Sequence, residues 1–290
     1  EIYTLSLHDA LPISIHMHEL SALGRTMVGW CHSRHGVLFG RILQPVNLAQ
    51  ADEVVSACRQ ARPDLIIHAG AIAAIGDCFR DPQRTQQVNV RATEVLLELA
   101  EKCGARLLFI STDLVFDGER APYREQDPAA PRSVYGQSKL AAEQKVLESG
   151  QVVVRLSLLY GPAILDRPSF FAETISALRN GKPIALFEDE WRTPLSLRTA
   201  AQALIGLAQS DFTGLLHLGG PERLSRLEMG QRLASYLKLD GSSIRAVKRC
   251  DVPAAEPRPR DVSLDSSEWR RRFPDQAWPS WHESLEELSM

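Results

Sequence analysis

Residues 106–113 read Arg-Leu-Leu-Phe-Ile-Ser-Thr-Asp, a short apolar run that ends in two hydroxyls and a carboxylate. A run of this length without alternation suits a strand buried on both faces, the habit of parallel sheets covered by helices. The pattern continues in both directions. Asp64-Leu-Ile-Ile-His-Ala-Gly70 and Gln151-Val-Val-Val-Arg-Leu-Ser157 are runs of the same kind, and Thr26-Met-Val-Gly-Trp30 is a shorter one. Helical segments are predicted between them over 49–61, 83–102 and 134–148. In the second of these, Val88, Val95, Leu96 and Leu99 supply the apolar face. Residues 18–25 suit the end of another helix. Strands alternating with helices, joined by right-handed crossovers, predict an α/β fold with a doubly wound parallel sheet.

After Gly161-Pro162 the texture changes. Helices are predicted over 168–180, 198–209 and 225–237, and strands near 183–187 and 214–218. A segment rich in proline and arginine, Pro253 to Arg260, follows. This reads as a smaller α+β lobe over residues 163–290, beside a dinucleotide-type domain over 14–162. A segment near 195–218 is expected to return to the main sheet.

Bulk properties narrow the function. The 290 residues are 44% hydrophobic and 24% charged, enough for a sizeable core. A net charge of -3 and the lack of any basic run argue against a nucleic-acid partner. No apolar stretch approaches about 18 residues, so no membrane span is expected. The five cysteines are scattered and form no Cys-x-x-Cys, which suits reduced thiols and a cytoplasmic location. The eight histidines show no metal spacing beyond His16-x-His18, and no metal is expected.

Tyr135-Gly-Gln-Ser-Lys139 carries the chemistry. On a helix, positions i and i+4 share a face, so the Lys139 ammonium can lower the pKa of the Tyr135 phenol from its ordinary value of about 10. A tyrosine so tuned can exchange a proton near neutrality. Thr112, at a strand end, can hold a substrate carbonyl oxygen.

Together these residues resemble the extended short-chain dehydrogenase/reductase superfamily, and within it the dTDP-4-dehydrorhamnose reductase group. The likeness covers about residues 20–270. Its markers run in order: His68-Ala-Gly-Ala71, Asn89-Val90, Ser111-Thr-Asp-Leu-Val-Phe-Asp-Gly118, Tyr135 to Lys139, Arg155-Leu-Ser-Leu-Leu-Tyr-Gly-Pro162 and Arg258-Pro-Arg-Asp261. The resemblance implies a Rossmann-like fold, Tyr135 as general acid, Lys139 tuning it and binding the nicotinamide ribose, and Thr112 orienting the carbonyl. It also implies cofactor contacts from Ala69, Gly70, Ala71 and Ser111. Asn89 would support the site through a helix distortion and water, or be an ordinary surface residue. On the substrate side it implies Asp113, with Arg192 and Arg260 as contacts for a diphosphate or as surface salt-bridge residues. Trp191 would stack on the ligand or pack between lobes. The implied substrate is a sugar nucleotide, reduced at a 4-keto group. Leu114 stands where the related dehydratases carry a glutamate, which argues against water elimination. A homodimer is compatible with the family. A non-catalytic regulatory subunit, like the methionine adenosyltransferase beta subunit, shares this fold and remains a second reading, and another sugar-nucleotide reductase or epimerase a third.

The cofactor site is incomplete in the sequence. A dinucleotide fold places glycines at its first strand-to-helix turn, so that the backbone can approach the pyrophosphate. No two glycines here stand three apart. Residues 1–13 resemble the translation of a DNA-sequencing adapter and are read as an assembly artefact, with native sequence from near Ser14. The first strand and its glycine-rich loop are therefore expected to be lost. Ile2-Tyr-Thr-Leu-Ser-Leu7 alternates as a strand would and suits the vacant slot, but supplies no phosphate loop. At the end of the second strand, His32-Ser33-Arg34 offers no carboxylate for an adenosine ribose. The planar fork of Arg34 suits a 2′-phosphate, so Ser33 and Arg34 favour NADP(H), with NAD(H) second.

Overall fold

The computed structural model describes residues 2–6, 26–32, 37–38, 41–162 and 169–288. Seven strands make one sheet: β1 (Ile2–Ser6), β2 (Thr26–Cys31), β3 (Gln44–Pro45), β4 (Leu65–His68), β5 (Arg106–Thr112), β6 (Val152–Leu156) and β7 (Gly214–Leu218). Their order is β7-β6-β5-β4-β1-β2-β3 and every neighbouring pair is parallel. The chain runs outward one way from β1 through β2 to β3, then returns to the other side of β1 and runs outward from β4. The strand order therefore reverses between β1 and β4. In open parallel sheets that reversal, at the carboxyl ends, is where ligands bind.

The alternation of Ile2 to Leu7 suits the first strand slot, and the structure puts a strand there. Ile2–Ser6 fills it, with Tyr3 opposite Met27 on one side and Leu65 on the other. A parallel ladder is built from backbone N–H and C=O groups, so an extended segment of suitable alternation satisfies it whatever its origin.

Alternate residues of each strand feed opposite faces. Ile66, Leu107, Phe109 and Val153 pack against helices α1 (Ala51–Ala61), α4 (Ala92–Cys103) and α5 (Val134–Glu148) through Val54, Leu96 and Val146. Ile67, Leu108, Val152 and Val154 pack the other way, on Leu204 and Leu207 of the helix Leu197–Ala208 and on Trp269. Both faces are dry, which is why these strands read as continuous apolar runs.

The predicted helix over 83–102 is not continuous. After the short helices α2 (Ile75–Arg80) and α3 (Pro82–Gln86), the turn Gln87–Arg91 widens to π geometry before α4 begins. Asn89 sits inside that turn. Such bulges are uncommon and concentrate at functional sites.

Residues beyond Gly161 build a second layer on the sheet's carboxyl edge. Helices Phe170–Arg179 and Arg226–Leu237 join two strand pairs, Ile184–Phe187 with Ile244–Val247 and Trp191–Arg192 with Leu224–Ser225. Tyr160, Phe171, Leu178, Met229, Leu233 and Trp281 form its core. Gly214–Leu218 leaves this layer and pairs with β6. Among the described residues, no helix is long and apolar enough to cross a membrane.

Candidate active site

A pocket of about 420 Å³ opens at the carboxyl ends of β4, β5 and β6. Ala69 and Ala71 line it after β4, Ser111, Thr112 and Asp113 at the end of β5, and Tyr135 and Lys139 from α5. Glu190, Arg192, Arg226 and Arg258 close it from the second layer.

The α5 face is fixed from both ends. Ser133 caps the helix by accepting from the Gly136 N–H at 3.1 Å, which starts α5 one residue before Tyr135. Gly136 is obligatory, because a Cβ there would run into the Leu114 carbonyl oxygen and approach Pro131 Cβ to 2.9 Å. The helix thus lies directly against the strand end that bears Thr112 and Asp113. Lys139 is buried, with Nζ 3.9 Å from the centre of the Phe109 ring. Burial brings its pKa down to about 7, although Glu143 opposes the fall. An amine held there is poised between its charged and neutral forms near physiological pH.

Asn89 ties the site together without lining the pocket. Its Oδ1 accepts from the Ile72 N–H at 2.8 Å. Its Nδ2 donates to the Ile72 carbonyl at 3.0 Å and to Ser138 Oγ at 2.9 Å. One side chain therefore joins the loop after β4 to the helix that carries Tyr135 and Lys139. The π turn is what aims it there. His68, at the end of β4, bonds Thr93 Oγ1 at 3.0 Å. Thr93 donates to the Asn89 carbonyl, so its hydroxyl accepts from His68 Nε2, which carries the ring proton. Burial, reinforced by the Lys139 charge, lowers the His68 pKa to about 3 and keeps the ring neutral.

The far wall is a buried ionic network. Asp113 Oδ2 accepts from Ser157 at 3.1 Å and lies 3.6 Å from Arg192 Nε. Burial raises the Asp113 pKa, against the pull of Arg192 and Ser157. Glu190 lies 3.4 Å from Arg192, 3.2 Å from Arg226 and 3.7 Å from Arg258. Burial alone would raise the Glu190 carboxyl, but these three guanidinium groups outweigh it and hold it below the usual carboxylate range. Three arginines face two carboxylates, one of them pushed towards its neutral form. The wall thus carries positive charge in excess, and Arg226 Nη1 is buried with no hydrogen-bond partner among the described residues. Such a wall suits an anionic ligand.

Of the residues expected from sequence, Thr112, Asp113, Ser111, Ala69, Ala71, Tyr135, Lys139 and Arg192 line this one pocket. Gly70 and Asn89 do not line it. Arg260 does not reach it: its side chain is exposed and its carbonyl accepts from the Trp191 N–H at 2.8 Å. Arg258 takes that place, because the proline-bracketed segment has no regular period to say which arginine turns inward. Arg192 is buried in the ion network and is no surface salt bridge. The Trp191 ring carries the Arg223 guanidinium at 4.5 Å. Ser33 and Arg34, like the helix expected over 18–25, lie outside the described residues.

Arg226 and Glu190 were missed. A signal existed for Arg226: it is the first residue of the helix Arg226–Leu237, inside the Ser225–Glu228 capping box, and a cation at a helix N-terminus opposes the dipole.

Comparisons with known proteins bear on the fold and the family. The chain matches the family described as RmlD substrate binding domain over residues 19–289. It is 31% identical over 233 residues to methionine adenosyltransferase 2 subunit beta of Pongo abelii, covering 77% of this chain and 69% of that one. It is 28% identical over 258 residues to a dTDP-4-dehydrorhamnose reductase of Sinorhizobium fredii, covering 83% and 85%. In fold it superimposes on the dTDP-4-dehydrorhamnose reductase of Bacillus anthracis, solved in complex with NADP, with a TM-score of 0.87 and 22% identity, covering 100% of this chain and 98% of that one. The architecture is that of the NAD(P)-dependent short-chain oxidoreductases, and the chain belongs to the RmlD substrate binding domain family.

Proposed function

We propose that this chain carries the site of a reductase acting on a 4-keto-6-deoxy sugar nucleotide, with Tyr135 as general acid and NADP(H) as the preferred dinucleotide. The observation that carries the reading is the meeting of Tyr135, buried Lys139 and Thr112 in one pocket at the sheet's carboxyl edge.

The described residues fit the nicotinamide end of such a cofactor. Ala69, Ala71 and Ala73 leave the wall beside Lys139 shallow, so that a flat ring can approach. The bound dinucleotide would supply the hydride. Thr112 would hold the substrate carbonyl oxygen, and Tyr135 would pass its phenolic proton to that oxygen as it becomes an alkoxide. Lys139 favours the proton loss from Tyr135 and would bind the ribose hydroxyls. On the substrate side, Arg226 and Arg258, with Arg192 behind them, offer the forked donors that a diphosphate takes. The preference for NADP(H) rests on Arg34 and the absence of a carboxylate beside it.

A second reading is a dinucleotide-binding regulatory subunit, favoured by the 31% identity to a methionine adenosyltransferase beta subunit. One assay separates the two. The chain is mixed with NADPH at high concentration and a dTDP-linked 4-keto-6-deoxy hexose, and NADPH absorbance is followed. Consumption matched by a 4-hydroxy sugar supports the reductase. No consumption, with capture of a purified methionine adenosyltransferase catalytic subunit, supports the second reading.

A further inference from the structure

Glu143 stands four residues beyond Lys139, one turn further along the same face of α5, and is wholly buried. Its carboxylate is gripped from two directions. Arg155 on β6 donates Nε to both oxygens, at 3.0 and 3.1 Å, and Nη2 to Oε2 at 2.7 Å. Ser111, on the pocket wall, donates its hydroxyl to Oε1.

The far side of Arg155 is fixed as well. Its guanidinium lies 4.9 Å from the centre of the Phe116 ring, and Nη1 lies 3.4 Å from His217 Nε2. A guanidinium only donates, so His217 Nε2 accepts and the ring proton sits on Nδ1. That proton goes to the Tyr123 carbonyl at 3.0 Å. Burial, then the Arg155 charge, lowers the His217 pKa to about 3, so the ring is neutral. Glu143 is therefore the one charge bonded to Arg155 in this chain of contacts. A buried ion pair is often no more stabilising than apolar residues of the same volume, so its place against the pocket asks for a reason other than stability.

We propose that Glu143 is a positioning residue: held by Arg155, its carboxylate fixes the Ser111 hydroxyl in the pocket wall and sets the charge state of Lys139 one helical turn away. The proposal rests on the reading of Lys139 given above. The other charged or ionisable groups facing Lys139 are Tyr135 on α5, His68 from β4, Asp113 after β5 and Arg155 from β6, with Glu190, Arg192, Arg226 and Arg258 across the pocket. His68 is neutral, and Asp113 is engaged by Ser157 and Arg192. On α5 and the helices packed against it, Lys145, Glu148, Asp77, Arg80, Arg84, Arg91 and Glu98 are exposed and Glu94 is half-buried. Glu143 is thus the buried carboxylate on the Lys139 face of the helix.

The test needs neither cofactor nor substrate. Lysines are labelled with carbon-13 at Cε, the Lys139 signal is identified with Lys139→Arg, and its titration is followed by NMR. The expected midpoint is about 7 in the unchanged chain. Glu143→Gln should lower it by about one pH unit or more, and Arg155→Met, which leaves Glu143 unneutralised, should raise it by a similar amount. Glu143→Asp, which keeps the charge, should bring the midpoint back towards that of the unchanged chain. A merely structural Glu143 would lower the melting temperature in these variants and leave the midpoint where it was. An unmoved midpoint in any folded Glu143→Gln or Arg155→Met protein overturns the proposal. If Lys139 moves as expected while no sugar nucleotide is reduced, the inference stands and the reductase reading fails.

Discussion

The two sides of the sheet obey different rules. From β4 to β6, the strand ends deliver His68, Ser111, Thr112, Asp113, Arg155 and Ser157, almost every one in a named hydrogen bond or ion pair. From β1 to β3, the described contacts are backbone ladder and apolar packing: Ile2–Ser6 pairs with Thr26–Trp30 and Leu65–His68, and Met27, Trp30 and Cys31 of β2 lie in the core. A strand slot asks for extended backbone and alternation, which many sequences offer. A reaction site asks for particular side chains at particular atoms. The fold can therefore be complete at β1 while the sequence offers no glycine turn for a pyrophosphate, and the chemistry of the opposite side can persist intact.

That contrast can be broken by substitution, beginning with the largest effect. Gly136→Ala forces a methyl into the Leu114 carbonyl and towards Pro131. It should cost about 3 kcal/mol in urea unfolding, the upper range for overpacking; a change near zero would show that α5 does not bear on the Thr112–Asp113 turn. Asn89→Ala strips three hydrogen bonds from the β4 loop and α5. A loss of about 2 kcal/mol is expected, seen as a lower urea midpoint. Next comes a pH effect. His68 and His217 are held neutral, each lowered to about 3 chiefly by burial. As pH falls below the unfolded value of about 6.5, the unfolded chain takes up protons that the folded chain refuses until about 3. Stability therefore drops through that window, by up to about 1.4 kcal/mol per pH unit for each ring. Unfolding curves at several pH values should show a shallower slope in His217→Asn, and an identical slope would remove His217 from the account. The smallest effect belongs to the other side. Gln44 on β3 meets Gln60 in an exposed contact at 3.4 Å, and Gln44→Ala should shift stability by less than about 0.5 kcal/mol. A loss as large as that of Asn89→Ala would erase the contrast between the two sides.

Much of this was legible in the sequence, for physical reasons. Apolar runs such as Ile66-Ile67 and Leu107-Leu108-Phe109 suit strands covered on both faces, and the i, i+4 spacing of Tyr135 and Lys139 puts both in one pocket. The same spacing carried one turn further leads to Glu143, so that residue was within reach. The break at Gln87–Arg91 was not visible in apolar periodicity, because Val88 and Val90 stay buried through the π turn. Arg226 and Glu190 come together only through the tertiary packing of two distant segments, and no local pattern encodes that meeting. The choice of Arg258 over Arg260 is likewise made by the second layer and not by the local sequence.

The central claim is that the pocket end is a reducing site with Tyr135 as its acid. The most direct measurement is turnover of a 4-keto-6-deoxy sugar nucleotide at saturating NADPH, in the unchanged chain and in Tyr135→Phe, with NADPH binding measured alongside. The account predicts a loss of turnover of about 10²- to 10⁴-fold in Tyr135→Phe with nucleotide binding unchanged. Equal turnover in the two proteins would contradict it.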